Sequence, residues 1–290
     1  MKRIVALLLL AIFIPNQLSA WGPKGHAIIG DIATSRLTPV TQANIQLLLG
    51  HDSLASIASW ADEVRPNRPE SYGWHFVDIP KDAPGFSQER DCFRPDEKHP
   101  NTLTDHHNCV VDRIVLFQKI LGDERAPRND RLEALKWIVH FVGDLHQPLH
   151  AIDEARGGND IKVPSFGSPN CGKYPCNLHW TWDSDLLEHT GYSEEEYVQR
   201  LKGLIDKEHL GQKAAGTPTD WANESHLQAR QIIEQKPAAI DEQYYQSHID
   251  LVNEKLALAG LRLASLLNDT LGNILPAKLK QDLEKHAQGI

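Results

Sequence analysis

The chain has 290 residues, a formal net charge of −9 at pH 7, 41% hydrophobic and 24% charged residues. That length accommodates one large domain with a substantial core, and neither an internal repeat nor a Ser/Gly linker argues for two. The acidic balance excludes a protein that grips duplex DNA by broad phosphate neutralisation, so any nucleic-acid chemistry has to run through metals and base stacking.

At the N-terminus, Lys2 and Arg3 precede an apolar run from Ile4 to Ile14, and a polar stretch then ends in Leu18-Ser19-Ala20. This is the pattern of a secretory leader, and eleven apolar residues are too few to span a bilayer. The expected division is a signal peptide at 1–20 and one domain at 21–290, with Trp21 at the new terminus and a secreted or periplasmic destination. Cleavage there removes two basic side chains and takes the formal balance to −11. In an exported chain the even count of four cysteines argues for two disulfides, and proximity favours Cys92–Cys109 and Cys171–Cys176. A four-cysteine metal site is the alternative, but the spacing lacks a CxxC pair.

Beyond Trp21-Gly-Pro-Lys-Gly-His26, apolar positions three and four apart open a helix at about residue 27. Thr38-Pro39 starts another that runs to Leu49, with proline at an early position where its missing N–H is harmless. Ser59-Trp-Ala-Asp62 follows, and Tyr72-Gly-Trp-His-Phe-Val-Asp78 reads as a short extended or loop segment. Helical patterns return over about 105–121 and 131–147. A Gly-rich loop, Arg156-Gly-Gly-Asn-Asp160, leads to the second cysteine pair. Asn177 is placed to cap a helix through Glu188. Trp221-Ala-Asn-Glu-Ser225 precedes a further helix, and the last long one covers about 246–268 with Leu256, Ala259, Gly260, Leu263 and Leu267 on one face. Little alternates like a strand, so the expected fold is mainly α in a single domain.

The segment from Trp137 to Leu145 is apolar on nearly every side, the mark of a buried helix, yet it carries His140 and Asp144 four residues apart on one face. Desolvating that carboxylate without a partner costs several kcal/mol. Either the two form a structural hydrogen-bonded pair or they share a metal. Pro148 ends the helix and leaves His150 just past it. The same His/Asp spacing recurs at His179 and Asp183, Asp62 and His75 flank a turn-rich stretch, and His26 lies close to a terminal amine and carbonyl that can chelate at Trp21. Recurrence favours metal. Of the fifteen histidines, His99, His106, His209, His248 and His286 sit in polar surroundings and read as surface groups; the neighbours of His146 leave its direction open.

Taken in order, WGxxGH at a mature N-terminus, SWAD, WHFxD, HFxGDxHQPxH, GGND, NLHxxWD and WAxES resemble the zinc-dependent single-strand nucleases, the family of the secreted fungal and plant bifunctional enzymes. The match spans essentially the whole mature chain. The resemblance implies a multi-helix fold of the phospholipase C/nuclease type with three zinc ions in a cleft. One zinc would take Asp62, His75, His140 and Asp144; a second the amine and carbonyl of Trp21, His26 and the shared Asp144; a third His150, His179 and Asp183. It further implies Asp62 as the residue that orients or deprotonates the attacking water, Arg65 and Asn159 as phosphate or sugar contacts, Phe76 as a base-stacking ring and Asp78 as a base-edge acceptor. The implied substrates are single-stranded DNA, RNA and 3′-nucleotides, the implied products 5′-phosphates, and the implied state a monomer without stable membrane association. One departure is the Cys-closed loop between Gly167 and Leu178, which the fungal members do not share in this form. The competing readings are a zinc phospholipase C, which shares fold and ligands, and an exported zinc-binding protein.

Overall fold

The computed structural model describes residues 21–92 and 108–274. The expected leader at 1–20, the first residues of the helix expected from about 105, the end of the domain at 275–290, and His99, His106 and His286 lie outside the described residues.

Helix α1 (Pro23–Thr34) begins with proline in its first turn, and α2 (Pro39–Leu49) is capped by Thr38, whose hydroxyl accepts the N–H of Thr41 at 3.2 Å. Short α3 (Trp60–Val64) carries Asp62 and runs into two 3₁₀ turns, Arg65–Asn67 and Pro69–His75. After α4 (Gln88–Asp91) come α5 (Val110–Gly122) and α6 (Arg128–His146). Every residue of α6 from Trp137 to His146 is buried, as its apolar surround predicts. Phe117 of α5 stacks on Trp137 (5.8 Å between centroids) and Trp137 on Phe141 (5.1 Å), an aromatic wall from which α6 projects its polar groups to the other side.

A 3₁₀ turn at Pro148–Ala151 ends that polar segment. The only sheet among the described residues is a hairpin of β1 (Asn170–Cys171) and β2 (Tyr174–Pro175), closed by Cys171–Cys176; the second disulfide is Cys92–Cys109, so both pairings are those that proximity favours. Then follow α7 (Leu178–Trp180), a π-helical turn (Thr181–Asp185), α8 (Leu186–Glu188), α9 (Glu194–Lys207), a 3₁₀ turn (Leu210–Lys213), α10 (Pro218–Glu234) and α11 (Glu242–Leu271). The expected face of α11, Leu256, Ala259, Gly260, Leu263 and Leu267, is fully buried. No helix among the described residues is long and apolar enough to cross a membrane.

Four expectations need correction. Residues 72–75 are helical rather than extended, because Pro69 starts a 3₁₀ turn that reaches His75. The helix capped by Asn177 does run to Glu188, but with a π-helical turn inserted at Asp183, a distortion that recurs at functional sites. Trp221–Ser225 lies inside α10, because a Thr217/Asp220 capping box with Pro218 starts that helix earlier. His248 is buried, not solvated: its Nδ1 bonds the Tyr244 carbonyl (2.7 Å) and its ring stacks on Tyr244.

His146, undecided from sequence, points away from the other histidines. Its Nδ1–H donates to the Val142 carbonyl (2.7 Å) and its Nε2 accepts from Arg262 (3.0 Å), which forks onto Glu224 at 2.7 and 2.9 Å. Lys255 lies beside them, 2% exposed with its Nζ 3.9 Å from Glu224. Burial pushes its ammonium down to about 8 from 10.5. The sign follows from linkage: below pH 8 both folded and unfolded chains carry the proton and the full desolvation cost is present. Between pH 8 and 10.5 the folded chain binds fewer protons than the unfolded one, so stability rises with pH. Glu224 keeps its bidentate partner Arg262 when Lys255 is replaced. Lys255→Met is therefore expected to raise the unfolding temperature at pH 7, at about 2–4 °C per kcal/mol for a chain of this size, and to lose that advantage across pH 8–10.5; calorimetry over this range checks it.

Candidate metal centre

Asp144, on α6, is fully buried and lies between three imidazoles. Its Oδ1 is 3.3 Å from His26 Nε2 and 3.2 Å from His140 Nε2, and its Oδ2 is 2.9 Å from His75 Nδ1. Asp62, from α3, approaches the same group, 3.7 Å from both His75 Nδ1 and His140 Nε2. His75 and His140 also meet each other, at 3.2 Å. Further along, His150 Nε2 and His179 Nε2 face each other at 3.1 Å, with Asp183 oxygens 4.0 and 3.5 Å away. The structure thus brings His26, Asp62, His75, His140 and Asp144 into one group and His150, His179 and Asp183 into a second.

Local backbone explains the convergence. Gly143 leaves room for the His26 ring on α6, since a Cβ there would sit 2.7 Å from His26 Nδ1. That ring stacks on His140, centroids 4.0 Å apart. Trp21 is fully buried, and Gly22 N–H donates to the Asp183 carbonyl (2.7 Å), so the start of the described chain is tied beside the second group. Val77 N–H donates to the His150 carbonyl (2.8 Å), strapping the segment after His75 to the segment after α6. Ala155, Arg156, Gly157 and Gly158 all have positive φ, a left-handed turn that costs its two non-glycine members about 1–2 kcal/mol each. The turn aims the Gly157 carbonyl at His179, and a Cβ on Gly157 would meet the Leu149 carbonyl at 2.4 Å.

The ring nitrogens on the far sides are satisfied by carbonyls: His140 Nδ1 by Ala58 (2.7 Å), His150 Nδ1 by His75 (2.8 Å) and His179 Nδ1 by Gly157 (2.7 Å). A carbonyl only accepts, so each Nδ1 carries the proton and each Nε2 presents a lone pair to its group. This is the outer support that metal-bound histidines show. Burial also keeps the rings neutral, with His26 and His179 pushed down to about 4 and His75, His140 and His150 lowered as well. The same burial holds Asp144 and Asp183 well above the usual carboxylate range. Neither nitrogen of His26 has a hydrogen-bond partner, nor do Asp144 Oδ1 and His75 Nε2. Neutral nitrogen donors, carboxylates and buried atoms short of partners fit divalent cations of the zinc type.

Both groups border a cavity of about 260 Å³ whose lining includes Arg65, Tyr72, His75, Phe76, Asp78, His150, Arg156, Asn159 and His179. All four side chains expected to contact substrate are therefore at one opening. Arg65 is 9% exposed rather than a surface arginine, its Nη1 3.6 Å from Asp62; Phe76 and Asp78 are half-buried and Asn159 is buried. Sequence reasoning passed over Tyr72, Ile152, Asp153 and Arg156 on the same lining. It also passed over Gln147, fully buried, whose Nε2 donates to Asp183 and whose Oε1 accepts from Leu149 N–H at 2.6 Å. A glutamine inside an apolar helix end was the available signal for Gln147; Tyr72 comes from a short 3₁₀ turn and Ile152, Asp153 and Arg156 from the segment after the turn at Pro148–Ala151, and none carries a hydrophobic period.

The family model described as S1/P1 Nuclease matches residues 21–272. Nuclease P1 of Penicillium citrinum is 29% identical over 87% of this chain and 98% of its own length. Endonuclease 2 of Arabidopsis thaliana is 30% identical over 89% and 92%, and nuclease S1 of Aspergillus oryzae 28% over 86% and 91%. With a family match over nearly all the described residues, the chain belongs to the S1/P1 nuclease family and is a hydrolase of phosphodiester bonds in nucleic acids.

Proposed function

We propose that this chain is an exported, monomeric, zinc-dependent endonuclease that cuts single-stranded DNA and RNA to 5′-phosphate ends and also removes phosphate from 3′-nucleotides. The observation that carries this reading is the shared opening: His75 of one buried group and His150 and His179 of the other line the same cavity as an arginine, a half-buried phenylalanine and a half-buried aspartate. A metal store has no use for the last three. Two disulfides accord with export into an oxidising compartment.

The residues present would hold one zinc with Asp62, His75, His140 and Asp144, a second with His26, Asp144 and the amine and carbonyl of Trp21, and a third with His150, His179 and Asp183. Bound zinc supplies Lewis acidity, drawing charge from phosphate oxygens and making water acidic near neutral pH. Asp62 orients the attacking water and takes its proton; the water oxygen bonds to phosphorus as the P–O3′ bond breaks, and the departing O3′ receives the proton released by Asp62, leaving a 3′-hydroxyl and a 5′-phosphate. Arg65, close to Asp62, offsets charge on the non-bridging oxygens. Asn159 contacts phosphate or sugar. Phe76 stacks on a base, worth about 1–3 kcal/mol and indifferent to sequence, and Asp78 accepts from that base's edge. A base inside a duplex offers no free face to Phe76, and this is the source of single-strand preference.

Chelating divalent ions from the mature protein is expected to lower its unfolding temperature, because the carboxylates of Asp62, Asp144 and Asp183 and the lone-pair nitrogens are then left buried without a cation; an unmoved transition would mean a self-sufficient hydrogen-bonded network. In Asp144→Asn, zinc measured by mass spectrometry is expected to fall by about one to two ions from three, with loss of nearly all turnover, and full activity with three ions would overturn the assignment. A turnover panel of single-stranded DNA, RNA, 3′-nucleotides and phosphatidylcholine tests the substrate class directly. On that panel Phe76→Ala is expected to raise KM on single strands about tenfold or more with zinc content retained, and a KM like that of the parent would remove Phe76 from the base site.

A further inference from the structure

Among the described residues, four large apolar or aromatic side chains stand exposed: Leu47, Tyr72, Tyr174 and Leu227. Only Tyr72 of these lines the cavity beside the two buried groups, and its side chain is 51% exposed there. Its position is fixed from two sides. A 3₁₀ helix has three residues per turn, so Tyr72 stands on the same edge as His75, one turn earlier. The Arg65 guanidinium lies 5.3 Å from its ring centroid, a cation–π contact that holds the ring without covering it with apolar packing.

The ring meets Phe76 edge to face, centroids 6.1 Å apart and planes at 85°. Two surfaces so disposed cannot receive bases stacked on each other at the roughly 3.4 Å rise of a helical strand. They can receive two neighbouring bases that have been splayed apart, which is how proteins read unpaired strands. We infer that Tyr72 is a second stacking platform, taking the base next along the strand from the one on Phe76, so that the cavity grips a two-base unit of single-stranded nucleic acid and favours oligonucleotides over 3′-mononucleotides. This inference rests on the single-strand reading above.

The test compares kcat/KM for adenosine 3′-monophosphate with kcat/KM for a single-stranded deoxyadenylate tetramer, in the zinc-loaded mature enzyme. In Tyr72→Leu the ratio of tetramer to mononucleotide is expected to fall about five- to hundredfold, the range for losing one base–aromatic stack. Tyr72→Phe is expected to keep the parent ratio and Tyr72→Trp to raise it, and these two keep the inference testable should the leucine variant fold poorly. A tyrosine that only steadies Arg65 would give a different pattern: both substrates would lose by the same factor, and an unmoved ratio in Tyr72→Leu or Tyr72→Trp overturns the platform. Parent enzyme that cleaves both substrates with such an unmoved ratio loses the platform alone, whereas parent enzyme that leaves the tetramer intact loses the single-strand reading and the platform together.

Discussion

Two imidazole nitrogens facing each other at 3.1 Å, each with its proton fixed on the opposite side of the ring, repel unless something positive lies between or beside them. His150 and His179 are in that position, and the carbonyls of His75 and Gly157 are what put them there. The same tension recurs around Asp144, where His26, His75 and His140 converge within 3.3 Å of one carboxylate. Burial favours neutral imidazoles and opposes charged carboxylates, and a divalent cation reverses the second penalty while using the first. The fold holds together imidazoles and carboxylates whose mutual approach a divalent cation would relieve.

That demand accounts for the odd composition of α6. Its outer turns bury Trp137, Phe141 and Leu145 against α5 and α11, while Gly143 gives up a side chain to admit His26. The aromatic wall of Phe117, Trp137 and Phe141 also meets His75 edge-on, at 5.1 Å for Phe141, so the ring that faces Asp144 is clamped by the core. A rigid apolar backing is what allows polar groups to be positioned within a few tenths of an ångström. Behind the helix, buried Arg262 and His146 and half-buried Glu224 form a separate polar network that ties α6 to α10 and α11. His146 belongs to this network and not to the candidate metal groups, although only Leu145 separates it from Asp144.

Much of this was legible in the chain because helical spacing converts directly into geometry. His140 with Asp144 and His179 with Asp183 announce themselves as i, i+4 pairs, the cap residues Thr38 and Asn177 mark true starts, and the apolar face of α11 follows its period. What escaped depends on relations that no local pattern encodes. The burial of His248, which stacks on Tyr244 one turn earlier in α11, also needs Trp182 from elsewhere in the fold. The π turn at Thr181–Asp185 changes which residues share a face without changing composition. The start of α10 was written in Thr217, Pro218 and Asp220, but the denser motif at Trp221–Ser225 drew the boundary to itself. Tyr72 and Arg156 reach the cavity from segments without period, so nothing distinguishes them from other exposed side chains.

Recognition and metal chemistry also share their backbone. The stretch from Pro69 to Asp78 supplies Tyr72, His75, Phe76 and Asp78, and Val77 is bonded to the carbonyl of His150 from the second group. On the proposed reading, a base seated on Phe76 would be one peptide away from an imidazole of the first group and one hydrogen bond away from the second. Across the cavity, the left-handed turn at Ala155–Gly158 spends conformational strain to hold the carbonyl that orients His179, and Asn159 follows it directly. Because each wall shares its backbone with the group it borders, the proposed base site and the proposed metal groups are held in register by backbone geometry. On the proposed reading, an unpaired strand would adapt its torsions to that fixed geometry, whereas a duplex, whose bases are held in register by their partners, would not.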